Sequence, residues 1–543
     1  MADRYWVGGS GSWNASSTTN WSATSGGAGG ASIPGTGDNA IFDANSGSGS
    51  YTVATSSNLN CLNFNITQPV TGTLTFNGNG IVNCYGNLNC NGGNIVWSVV
   101  ANFIFVGTGT QTVKTGGITF NRFVFNGTTF TLLDTLTVTV NFQINNGILV
   151  FNNQTVYTPV LSISGGGTRT LDFTSGGIIN IPGNASTVIN GAATTGLTIL
   201  GNSTVNLTYS GNTGTRTVNI AAGAVGYLNI NVTAGSDTVA IGNVLGSLNL
   251  TGFTGFFNNV ARTMYGNLIL GSSMTASSGA AVTTFAANTV TQIFDSANIT
   301  TPFSITIGTS SSNGTVIFSN AVTLGNTNSF TVTGGTFNAN SYNLTTGTFV
   351  SSNTNTRTIN ISNATVTIAG AALTAWNMAT SNNANLIATN SNIAFSNNST
   401  TTRGISSGTG LTYGNLIMGG ANVAQFQFFG NSTYSSITST KTVPQTILFT
   451  GNSTTTVNNW SVPGTANANV TLSSDSLATF NLIKTGSGTV NVNYYTITRS
   501  NASPNNTWYS LLTNNNIDGG NNTGWIFTYV PPPPSTSNYF LVF

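Results

Sequence analysis

The chain has 543 residues, 11 basic and 9 acidic side chains and no histidine, and only 4% of it is charged, against about a quarter in ordinary globular domains. A formal charge of +2 spread over single residues, with no basic run, excludes a phosphate-backbone partner, and the lack of histidine removes the commonest general base and a usual zinc ligand. A hydrophobic share of 39% with 31 phenylalanines is too apolar for a disordered chain of Gly, Asn, Ser and Thr.

Residues 1–52 hold Trp6, Trp13 and Trp21 among glycines, followed by IPGTGDNAIFD. This segment is expected to be an N-terminal cap and attachment segment, because the first coil of a stacked fold exposes apolar surface and open strand edges that indoles cover. The opening MADRYWVGGSGSWN shows no basic region followed by an apolar one, so no secretory leader is expected.

Residues 53–500 alternate short apolar strands with turn residues. Cys61, Cys84 and Cys90 are read as buried free thiols, the first two spaced near one coil. The apolar stretch from Ile95 to Val106 is too short to cross a bilayer as a helix, and no membrane insertion is expected. Gly107, Gly127, Gly147 and Gly167 close the strands FIFVG, FVFNG, FQINNG and LSISGGG at a constant step of 20, and Gly226, Gly246 and Gly266 repeat that step. These seven glycines are expected at coil turns. The fold class that follows is all-β, a right-handed parallel β-helix (β-solenoid) with coils of about 20 residues, capped at both ends. At a rise of about 4.8 Å per coil this segment would give some 22 turns and a rod roughly 100 Å long.

Stacking also explains the composition. Like charges on adjacent turns of such a coil repel by about 1 kcal/mol in water, whereas columns of Asn, Thr and Ser can bond along the stack. A second motif recurs as GTQTVK at Gln111, GTRTLD at Arg169, GTRTVN at Arg216 and NTRTIN at Arg357; from Arg169 to Arg216 the step is 47 and from Arg216 to Arg357 three times 47, with Arg262 and Arg403 close to the same grid. On that spacing the arginines would be about 10 Å apart and mutually screened, but their phase conflicts with the glycine step.

Asp134, Asp172, Asp237 and Asp295 are the available acids for catalysis, and each stands alone among Thr, Ser and Phe. A solitary Asp at a strand end is a turn residue bonding its own backbone. Asp134 and Asp172 fall near two coils apart, at or beyond the outer limit for an inverting pair. The chain is therefore expected to be non-enzymatic. No cofactor or metal is expected either: the calcium-binding nonapeptide repeat does not occur, and the DGGNN at Asp518 reads as a turn. Tyr209, Tyr227, Tyr265 and Tyr413 are expected to pack in the core or in ladders, with stacking on sugar rings as the alternative.

Residues 501–530, with Trp508 and Trp525, form the expected C-terminal cap. Residues 531–543 are expected to be a polyproline strut, Pro531 to Pro534, and a docking tail, Tyr539, Phe540, Leu541, Val542 and Phe543, that seeks an edge on a neighbouring subunit or virion partner.

The opening RYWVGGSGSWNASSTTNWS with IPGTGDNAIFD resembles the start of β-helical surface proteins of bacteriophages and of bacterial autotransporter passengers, and IDGGNNTGWIF resembles the terminal segment of phage β-helical tail or fibre proteins. The likeness covers about the first fifty and last thirty-five residues in detail. It implies a structural component of a virion, a tail fibre, tailspike, head fibre or decoration. Such a protein would be assembled in the host cytoplasm, displayed on the virion surface, and joined to other virion proteins as a homo-oligomer, with a trimer the usual form and a host cell-surface glycan as a further partner. The alternatives are a polysaccharide-binding or -degrading tailspike and an extracellular bacterial adhesin or filament subunit.

Overall fold

A computed structural model describes residues 1–67, 72–193, 195–221, 223–422 and 425–528. The docking tail Tyr539 to Phe543 and the strut Pro531 to Pro534 lie outside the described residues. The chain is all-β and winds as a β-solenoid of about 20 turns with parallel strands, averaging about 23 residues per turn. The coil follows from the period-two pattern of the sequence: in TVNI of the strand Thr215–Ile220, Val218 and Ile220 point inward while Thr217 and Asn219 point outward.

The turn length is less regular than the glycine step implies. It falls to 18 residues between Ile230 and Leu248 and rises to 29 between Ile189 and Val218. Corner loops take up most of the difference, and local register shifts within a few strands take up the rest.

Two compact units are distinguished, residues 1–287 with 292–299, and residues 288–291 with 300–543. In the first unit each coil has three sides. The strands Asn58–Cys61, Phe64–Ile66 and Leu74–Gly78 are followed one turn later by Ile81–Cys84, Leu88–Cys90 and Ile95–Trp97, each pairing in parallel with its predecessor. Further on, Thr119–Leu132 and Leu136–Val150 run through all three sides as single bent strands, with register shifts at Phe120/Arg122, Phe125/Asn126 and Asn126/Thr129. The interior here is aromatic: Phe103 stacks on Phe123 with ring centroids 5.6 Å apart, and Trp97 packs on Phe120 at 5.1 Å.

The second unit begins three-sided, with Thr315–Phe318, Val322–Leu324 and Ser329–Val332 under Gly335–Asn338, Leu344–Thr346 and Thr348–Val350. Beyond residue 410 its coils are built from two longer strands, such as Thr412–Met418 and Gln425–Phe429, then Ser432–Ser439 and Gln445–Phe449. Phe428, Phe449 and Phe480 stack through this part at 4.8 and 4.3 Å.

Parallel stacking runs through both segments expected as caps. Asp3–Trp6 already pairs in parallel with Asn39–Phe42, and Gly11–Trp13 with Tyr51–Thr55. Trp21–Ser22 adds the only antiparallel strand pairing among the described strands, along the otherwise open edge of Asp3–Trp6. At the other end Trp508–Tyr509 pairs in parallel with Trp525–Ile526.

Candidate functional site

The carboxylates are the first place to look for chemistry, and all nine accept hydrogen bonds within the fold. Asp134 accepts the backbone N–H groups of Thr115 and Gly116, both at 2.7 Å, and the Thr115 hydroxyl at 3.1 Å. Asp172 accepts the Thr174 N–H at 2.9 Å and its hydroxyl at 2.6 Å, and Asp295 the Ala297 N–H at 2.8 Å. Asp38, Asp43, Asp475 and Asp518 accept the N–H groups of Gly35, Asn45, Gly451 and Gly520, and Asp3 accepts the Asn39 amide. Asp237 is bound twice by Arg216 at 2.8 Å, the sole ion pair found among the described residues. Asp172 sits in register over Val150 and Thr131, whereas Asp134 lies past the end of its own strand, so these two do not form a pair. Among the described residues no group of three His, Cys, Asp or Glu side chains is placed to hold a metal ion.

The arginine motif proves to be internal. Arg169, Arg216, Arg262, Arg357 and Arg403 are each at most 2% exposed, so the expected screening by salt does not act between them. The reason is parity. Arg216 alternates with Thr215 and Thr217 and shares the inward phase of Val218 and Ile220. Each guanidinium turns toward a coil corner, where carbonyls leave the strand ladder and need donors. Arg357 donates to the carbonyls of Asn355, Asn382, Ser351 and Thr380 and to the Ser351 hydroxyl, at 2.6–3.0 Å. Arg169 donates to Gly167, Ala193 and Thr195, and Arg403 to Ala371, Thr401, Thr402 and the Asn397 side chain. Arg262 reaches Ile241, Thr283 and Asn258 and lies 4.3 Å over the Phe257 ring. Burial pushes the Arg262 guanidinium down to about 9 and lowers Arg169, Arg357 and Arg403 from their ordinary value. Gln111 and Gln292 occupy the same inward phase and donate to the corner carbonyls of Gly86 and Gly266.

Outward positions carry amide columns instead of charge. Asn206 donates to Asn180 and Asn231 to Asn206, both at 2.9 Å. In the second unit Asn392 donates to Thr365, Asn415 to Asn392 and Ser436 to Asn415, at 2.8–3.1 Å. Tyr227 and Tyr265 stack face to face at 3.9 Å and 5° on the surface of the first unit, and burial, with the neighbouring Tyr265, pushes the Tyr227 hydroxyl up to about 12. Tyr413 is fully buried and donates to the Ser407 carbonyl, while Tyr209 lies 5.5 Å beneath Arg216.

The seven glycines fall into two sets. Gly107, Gly127 and Gly147 stack directly: a Cβ on Gly127 would meet the Gly107 oxygen at 2.3 Å, and one on Gly147 the Gly127 oxygen at 2.4 Å. Gly147 then pairs with Arg169, so Gly167 lies off the column by two residues. Gly266 stacks on Gly246 through a 2.9 Å backbone bond, whereas Gly246 bonds Leu228 across an 18-residue turn, two residues off Gly226, which itself lies against Ile199. Trp6, Trp13 and Trp21 form one buried cluster around Phe42, with Trp6 to Trp21 at 5.2 Å and Trp13 to Trp21 at 5.3 Å; Trp508 and Trp525 pack at 5.1 Å. Cys61 and Cys84 stand in direct register on adjacent turns, and all three cysteines are buried and free.

No family model, no curated protein and no solved structure matches the chain.

Proposed function

We propose that the chain is a non-enzymatic structural component of a bacteriophage virion, a tail fibre, tailspike, head fibre or decoration, that acts as a rigid scaffold on the virion surface. It would be assembled in the host cytoplasm as a homo-oligomer, a trimer being the usual form, and would contact other virion proteins and a host cell-surface glycan. The observation that carries this reading is the engagement of all nine carboxylates by turn N–H groups, side-chain amides or Arg216. Acids held this way build corners, and none of them is the unengaged member of a catalytic pair. Composition supports the same reading, since amide columns and a dry core give stiffness with few titratable groups. The tryptophan-rich ends, which resemble those of phage β-helical proteins, supply the link to virions.

Mass spectrometry of purified virions from the producing lysate tests the assignment. The chain is expected at stoichiometric abundance; its confinement to the cell-surface fraction would favour the adhesin reading instead. Incubating the protein with host surface polysaccharide tests the passive role, and release of reducing ends would contradict it.

A further inference from the structure

The outward face between Tyr227 and Ile269 in the first unit combines features that a passive wall does not need. The amide column Asn180, Asn206, Asn231 should continue to Asn249, which is in direct register with Asn231. It stops there. The Asn249 Oδ1 is turned to accept the Thr251 N–H at 2.9 Å and the Thr251 hydroxyl. Among the described residues the Asn231 Oδ1 and the Asn249 Nδ2 have no hydrogen-bond partner. That break coincides with a depression of about 340 Å3 lined by Asn231, Val232, Thr233, Asn249, Thr251 and Gly252.

On the same face, four residues before Asn231, stands Tyr227 with its ring against Tyr265. Four residues of extended chain span no more than about 14 Å, a distance a short oligosaccharide covers. Between the rings and the depression the outward residues are Asn229 and Ser247, with Asn267 beside Tyr265. Those residues are braced. Asn229 donates to Asn202 and accepts the Ser247 N–H, and Asn267 accepts the Ile293 N–H. The face carries no ionised side chain until Asp295, which pairs with Ile269 one coil further on.

We propose that this face binds a neutral oligosaccharide, with a pyranose ring stacked on the Tyr227–Tyr265 pair and sugar hydroxyls bonded to the Asn231 Oδ1 and the Asn249 Nδ2. The chemistry is selective. Half-exposed aromatic rings take the apolar face of a sugar, a free donor and acceptor pair takes its hydroxyls, and the lack of cations gives an acidic glycan or a nucleic acid nothing to pair with. The site deepens the attachment part of the proposed function and rests on it, and its test is independent of virion location.

Saturation-transfer NMR on the full chain, with neutral linear tetrasaccharides of glucose, mannose, galactose and N-acetylglucosamine and an acidic tetragalacturonate as control, tests it. At least one neutral sugar is expected to bind saturably and the acidic one not. Tyr265→Ala and, separately, Asn249→Asp are expected to weaken that binding roughly tenfold with an unchanged circular dichroism spectrum. No binding by any neutral sugar, binding by both variants as tight as the parent's, or preference for the acidic sugar would overturn the assignment. Any of these would leave the scaffold reading intact, because that is judged on virions.

Discussion

The Arg216 corner of the first unit and the Arg357 corner of the second solve one problem in two ways. Both bury a guanidinium at the start of an inward-phased strand. At Arg216 the charge is met chiefly by Asp237, one turn away in the stack, with a single carbonyl, that of Ala234, also bonded at 3.1 Å. At Arg357 no carboxylate is among its bonded partners; four carbonyls and the Ser351 hydroxyl surround it. The difference teaches what the cation is for. An ion pair could be exchanged for two apolar groups, whereas a guanidinium that satisfies four corner carbonyls is part of the backbone's own hydrogen bonding.

The sharpest way to break the comparison is substitution at each corner. Arg357→Met leaves the carbonyls of Ser351, Asn355, Thr380 and Asn382 without that donor and is expected to cost about 3–5 kcal/mol in urea unfolding of the second unit's transition. Asp237→Asn strands the Arg216 charge and is expected to cost a comparable amount, about 3 kcal/mol, in the first unit. The double change Arg216→Met with Asp237→Leu should recover most of that loss, to within about 1 kcal/mol of the parent. If the double variant were no better than Asp237→Asn, the two corners would be alike after all.

A smaller effect comes from Lys441, buried near Arg403 in the second unit. Burial, then the Arg403 charge, pushes its ammonium down to about 8. The folded value lies below the unfolded one of about 10.4, so the protonated form costs stability below pH 8, and that cost is relieved as pH rises from 8 toward 10. Arg262, pushed down to about 9, acts in the same direction in the first unit. Stability of the second unit's transition should rise by about 1 kcal/mol across that window, and Lys441→Met should flatten the rise. A parent whose stability falls from pH 8 to 10 would contradict this sign.

The smallest effect concerns the outer columns. Asn206→Ala removes one bonded amide between Asn180 and Asn231 and is expected to cost about 1 kcal/mol. Asp placed together at 180 and 206 should cost a similar amount that salt relieves. A salt-independent loss would mean that charge repulsion does not govern the outer face.

The parallel coil, its inward phase and its apolar interior were legible because a period of two leaves an unambiguous mark in strings such as TVNI and FIFV. The in-register stacking of Cys61 on Cys84 was also open to view from their spacing near one coil. Turn length was less legible. The 20-residue step holds where Gly107, Gly127 and Gly147 stack, and fails at Gly167, where the corner held by Arg169 adds two residues. The Asn180, Asn206 and Asn231 column is hidden in the sequence for the same reason, since its steps of 26 and 25 follow no fixed ruler. The arginines carry their signal in parity with Val218 and Ile220, which their spacing along the chain does not show. The break at Asn249 depends on which way one amide turns, and no string of residues encodes that.

A crystal structure of the full chain tests the central claim, that stacked coils hold their arginines inside and their amides outside. The account predicts Arg216 bonded to Asp237, and Arg357 ringed by the carbonyls of Ser351, Asn355, Thr380 and Asn382, with Asn180, Asn206 and Asn231 aligned on the outer wall. Arginines turned out to solvent, or asparagines out of register from coil to coil, would contradict it.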